Sequence, residues 1–168
     1  MSQMYRVAGY VKLAKLWERS ADKAMVYHRA YYQEKYENSD RFALKDVYVD
    51  ITGQKEINRR PEMLRLLRDC LRGEVDCIAA QTKGYLAANT KEFCYLIRLL
   101  FDEDHRIDIV TEDIAYHIDT LVDEDQQREA LYRMACDYID LNADDFENWK
   151  RKILRSIEKL NADVAEGG

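Results

Sequence analysis

Residues 61–80, PEMLRLLRDCLRGEVDCIAA, decide the fold. The stretch opens on Pro61, whose ring suits the first turn of a helix because no amide donor is needed there. Leu64, Leu67 and Leu71 then recur at helical spacing and form one apolar stripe. Gly73 supplies the left-handed stop. The run VDCIAA (residues 75–80) follows at once and reads as a short buried strand. A helix delivered straight into a buried strand is the second half of a βαβ unit.

The same grammar extends in both directions. Upstream, YRVAGYVKL (residues 5–13) reads as a first strand, with Val7, Gly9, Val11 and Leu13 facing one way. Residues 20–38 lack Gly and Pro and read as a helix, in which Ala24, Tyr27, Ala30 and Tyr31 recur at helical spacing. LKDVYV (residues 44–49), closed by a Thr-Gly turn, is a second strand. Downstream, Asn89 or Thr90 caps a helix whose Phe93, Ile97 and Leu100 share a face. RIDIV (residues 106–110) is a fourth strand. After Thr120 two helical patterns, 124–141 and 144–160, follow each other with no strand between them, separated at Asn142 and Ala143. In the second, Phe146, Trp149, Ile153, Ile157 and Leu160 make an apolar face that suits either core or a partner surface. The expected fold is α/β: a mainly parallel four- to five-stranded sheet flanked by helices, then C-terminal helices. Residues 1–120 form the sheet domain and 121–168 a helical segment for dimerisation or partner binding, with no separate DNA-binding domain.

Composition narrows the function classes. The 168 residues are 47% hydrophobic and 35% charged, with 6 Gly and 1 Pro, the mixture of a globular domain rather than a disordered one. No apolar run reaches the length of a membrane span, and no secretion signal opens the chain, so a cytoplasmic protein without membrane partners is expected. Cys70, Cys77, Cys94 and Cys136 form no C-x-x-C pair, and His28, His105 and His117 stand apart from them, so neither metal nor cofactor is expected. The net charge of −6 argues against a stand-alone nucleic-acid binder. Residues 121–168 carry 7 basic and 12 acidic side chains, so no basic tail is present there to hold DNA.

Three stretches, in order, resemble the catalytic domain of serine recombinases, the resolvase and invertase family, and its large members most. RVAGYVKLAK (residues 6–15) is similar to a strand ending in Y-x-R-V-S, carried here by Tyr10, Val11, Lys12, Leu13 and Ala14. DITGQKEINRRPEM (residues 50–63) resembles the D-x-x-x-S-G loop that leads to R-P and a helix. GEVDCIAAQTKGYLAANT (residues 73–90) resembles a run of the form G-x-x-D-x-I-x-x-x-x-x-x-R-x-x-R-N-T. A weaker fourth match spans residues 110–120, with Ile-Asp-Thr in place.

What the resemblance implies is a site for phosphoryl transfer on DNA, in which the motif serine attacks a phosphodiester. Charge then gathers on the equatorial oxygens, so such chemistry rests on positioning and preformed positive charge, which guanidinium groups supply through paired bonds. This chain departs from that pattern nearly everywhere it matters. Ala14 stands at the nucleophile and Lys12 at the arginine two residues before it. Thr52 stands for the loop serine, and Tyr85 and Ala88 stand for the two arginines of R-x-x-R. Only Arg60 is kept, and Lys12 and Arg60 are the candidate nucleic-acid contacts, as relics that still hold a phosphate or as solvated charges. The four tyrosines at 27, 31, 32 and 36 read as packing against the sheet rather than as base-stacking groups.

Three functions follow from this reading. The first is an inactive accessory or regulatory partner in site-specific recombination of a mobile element, a homodimer or a hetero-oligomer with an intact serine recombinase, touching DNA weakly or indirectly. The second is a protein-interaction module that reuses the fold without DNA. The third is a working strand-exchange enzyme with a shifted site, for which Tyr85 is the only tempting nucleophile.

Overall fold

The computed structural model describes residues 4–114, 117–142 and 145–167. Four strands form one all-parallel sheet in the order β2-β1-β3-β4: β1 Tyr5–Leu13, β2 Phe42–Ile51, β3 Cys77–Ala80 and β4 Asp108–Thr111. The connecting helices are α1 Ala21–Tyr36, α2 Pro61–Leu71, the single turn α3 Lys83–Leu86 and α4 Thr90–Phe101. Two longer helices, α5 Gln126–Leu141 and α6 Phe146–Gly167, complete the chain. The expected sheet is therefore present with four parallel strands. β2 is longer than its β-branched centre suggested, and the α3 turn was not anticipated. Asn142 follows α5 directly, whereas Ala143 and the start of the expected 144–160 helix lie outside the described residues.

Alternation along β1 sends side chains to two separate cores. Val7 and Val11 pack with Val47, Val49, Cys77, Ala79 and Tyr32 beneath α1. Ala8 and Tyr10 join Tyr48, Ile78, Ala80 and Ile109 in the larger core beneath α2 and α4. The close approach of α1 has a specific cause. A Cβ on Gly9 would lie 2.8 Å from the ring of Tyr32, so a side chain at that position would displace the aromatic ring.

Helix α1 does not bury the face expected for it. Its inward residues are Ala24, His28 and Tyr32, while Tyr27 is 63% exposed and Ala30 faces solvent. Tyr31 is partly buried and donates its hydroxyl to Glu112 at 2.6 Å. Tyrosine and alanine occur on every side of this helix, so composition gives little contrast between its faces.

The apolar face of α6, which the sequence left open between core and partner surface, packs inward. Phe146, Ile153 and Ile157 are buried in the larger core, and Trp149 and Leu160 pack against it. α6 lies on α2 and α4, and α5 lies on α4. Phe146, Trp149 and Tyr95 form an aromatic cluster with ring centroids 5.3 to 6.0 Å apart, and the Trp149 indole donates to Glu92 at 3.1 Å. The C-terminal helices thus share one core with the sheet, because α2 and α4 alone leave apolar surface uncovered. Among the described residues no helix is long and apolar enough to cross a membrane.

Candidate functional site

In open parallel sheets ligands meet the carboxyl ends of the strands, where loops diverge. Here that rim is built by the ends of β1 and β2 and by the segments before α2 and around α3. Ala14 is exposed immediately after β1, with extended backbone (φ −66°, ψ 155°), and its carbonyl accepts from Trp17 N at 3.0 Å. Thr52 is tied to the same strand end, since its amide donates to the Leu13 carbonyl at 3.0 Å. The Thr52 hydroxyl oxygen accepts from Gln54 N at 3.1 Å, a short local turn.

Beneath the rim lies a buried polar cluster centred on Asp50. Its carboxylate accepts from the Tyr10 hydroxyl at 2.8 Å and from the amides of Glu62 at 2.9 Å and Met63 at 2.8 Å. Those amides belong to the first turn of α2, whose donors have no partner within the helix. The residue before Pro61 is Arg60, which cannot cap, so a carboxylate from the neighbouring strand does so. Burial raises the Tyr10 hydroxyl pKa well above its ordinary value; the Asp50 charge adds to this and nearby Arg60 opposes it.

Arg60 is 1% exposed, which overturns the expectation of a solvated charge. Its two terminal nitrogens donate to backbone carbonyls, Nη1 to Tyr85 at 2.7 Å and Nη2 to Lys55 at 2.9 Å, while Nε has no hydrogen-bond partner. The guanidinium fork therefore staples the loop before α2 to the α3 turn. Lys12 sits opposite Asp50 in the β1–β2 register and is partly buried. Desolvation and the Arg60 charge lower its ammonium pKa, Asp50 opposes them, and Lys55 lowers it further. Lys12, Asp50, Lys55 and Arg60 are thus one electrostatic group.

The remaining motif positions are placed differently from one another. Tyr85 contributes its backbone oxygen to Arg60, while its half-buried side chain packs against both cores and burial raises its hydroxyl pKa. Ala88 is exposed and lines a separate hollow of about 250 Å³ with Lys83, Asn89, Phe93 and Asp113. The structure therefore joins Lys12, Thr52, Arg60 and the Tyr85 backbone around the Ala14 strand end, and sets Ala88 apart. Asp50 and Tyr10 entered the sequence reading only as motif positions, with no role given to either. The available signal was a helix opening on Arg-Pro with no capping residue, preceded by a strand whose penultimate residue is Asp50.

No family model matches this chain, and no curated protein does. Solved structures share its fold. The crystal structure of the N-terminal catalytic domain of TP901-1 integrase superposes with a TM-score of 0.59 at 17% identity, over 82% of this chain and 96% of the other. A resolvase family site-specific recombinase from Streptococcus pneumoniae gives a TM-score of 0.54 at 11% identity, over 97% and 98%. The fold is that of serine recombinase catalytic domains, with the C-terminal helices included.

Proposed function

We propose that this chain is a catalytically silent relative of serine recombinases, acting as an accessory or regulatory partner in site-specific recombination of a mobile element. It pairs with itself or with an intact serine recombinase, and touches DNA weakly or through that partner. One observation carries the reading: Ala14, which follows β1 and which the sequence resemblance puts at the nucleophile, ends in a methyl group. The cationic support around it is weak as well. Arg60 spends both terminal nitrogens on backbone carbonyls, and Lys12 is a point charge without a planar fork.

Magnitudes support silence over mere slowness. Removing a nucleophile costs on the order of a million-fold in a well-studied hydrolase. Loss of one preformed oxyanion donor costs about a hundred-fold or more. A substitute nucleophile has poor prospects at this rim. The Tyr10 hydroxyl is buried and donated to Asp50, and burial holds both Tyr10 and Tyr85 in the protonated form.

The test is incubation of the purified protein with supercoiled plasmid carrying candidate sites, followed by a search for nicks and protein-linked DNA. None is expected, and either product would overturn the proposal. The variant Ala14→Ser with Tyr85→Arg and Ala88→Arg is the sharper form, in which regained nicking would show that the ancestral geometry persists. Co-purification with an intact recombinase from the same genome tests the accessory role, and absence of any complex or effect on recombination removes it.

A further inference from the structure

Beside the strand end just described, on the α1 face of the sheet, lies a hollow of about 440 Å³. Leu13, Trp17, Ala24, Tyr27 and His28 line it, with Lys23 at its edge. The volume falls within the range of small-molecule pockets, which are mostly apolar walls with a few placed polar groups. Its aromatic walls are not satisfied by the chain itself: Trp17 is 46% exposed and Tyr27 63% exposed, and Leu16 beside Trp17 is 75% exposed.

The lining also carries a buried polar side chain, His28, which is 8% exposed. Its Nδ1 is buried with no hydrogen-bond partner. Burial lowers the imidazole pKa, so the ring is neutral at ordinary pH and carries a single N–H. With Nδ1 sealed away from solvent and any acceptor, the proton belongs on Nε2, where an N–H is free to donate. The Lys23 ammonium at the exposed edge adds a preference for negative charge.

We propose that this hollow is a binding site for a small aromatic or aliphatic carboxylate. The apolar body would lie between Trp17 and Tyr27, and a carboxylate oxygen would accept from His28 Nε2 near the Lys23 ammonium. The site is independent of the catalytic state of the rim, so it stands or falls apart from the function proposed above.

The test uses 2-naphthoate and its neutral counterpart 2-naphthylmethanol, titrated into the full chain with the imidazole ¹⁵N resonances as readout. Three histidines are present, and His28→Gln assigns the relevant signal. Naphthoate should shift the His28 resonances saturably, with the alcohol about tenfold weaker, the worth of one charge-assisted hydrogen bond. Lys23→Gln, a surface change, should weaken naphthoate several-fold and leave the alcohol unchanged. Ala24→Phe, which fills the hollow, should abolish both, with retained far-ultraviolet dichroism certifying the fold. Absence of any His28 shift at millimolar naphthoate would overturn the proposal. So would equal affinity for the two probes, or sedimentation showing that a second copy of the chain already fills the hollow.

Discussion

Replacing Asp50 by alanine tests the load carried by the buried cluster below the rim. The substitution strips the acceptor from two α2 amides and from the Tyr10 hydroxyl, at 2.9, 2.8 and 2.8 Å. Each buried donor left without a partner costs about 1–3 kcal/mol. It also removes the negative charge beside Lys12 and the buried Arg60. Because the three donors share one acceptor, the losses are not additive. A total of about 4–6 kcal/mol is expected, against roughly 5–15 kcal/mol for a whole domain. Asp50→Asn keeps one oxygen for the amides and should cost about 2 kcal/mol, and Tyr10→Phe about 1 kcal/mol. Urea unfolding followed by far-ultraviolet dichroism gives these differences directly, and the Asp50→Ala/Tyr10→Phe double mutant should cost less than the sum of its parts. A loss below about 1 kcal/mol for Asp50→Ala would refute the capping argument, since it would mean that water or another group satisfies the first turn of α2 equally well.

Further outcomes follow from other parts of the molecule. Gly9→Ala should cost about 1–3 kcal/mol through overlap with the Tyr32 ring, lowering Tm by roughly 3–10 °C; an unchanged Tm would mean the ring moves freely. Ile153→Ala should cost about 2–5 kcal/mol with an unfolding midpoint that does not depend on protein concentration, whereas a concentration-dependent midpoint would return this α6 face to an interface. The native state holds His28 with a lowered pKa, so below about pH 6.5 the unfolded chain binds the proton first and stability should fall with falling pH. His28→Gln should flatten that limb, and identical pH profiles for the two proteins would contradict it.

The four strands were legible because alternation and glycine stops act over a few residues. Val7, Val11 and Leu13 declare one face of β1, and Gly73, with φ of +73°, ends α2 where it should. The burial of α1 was not legible, since Tyr27, His28, Tyr31 and Tyr32 give no apolar contrast around the helix. Arg60 was misread for a different reason: a charged side chain reads as solvated unless its acceptors are known, and those are carbonyls of Lys55 and Tyr85, 5 and 25 residues away. The α6 face illustrates the same limit at larger scale. Periodicity fixes which residues of 146–160 face together, and only the surface left open by α2 and α4 decides what they face.

The strand order also bears on how the chain is made. β1 is synthesised first yet occupies an interior place in the sheet, with β2 on one side and β3 on the other. During translation its nine residues therefore wait with both edges open until residues 42–51 and then 77–80 have left the ribosome. Unpaired, largely apolar edges are templates for intermolecular pairing, and non-local parallel sheets close slowly. Yield in recombinant expression should thus depend on synthesis rate and chaperone supply more than the stability of the finished domain would suggest.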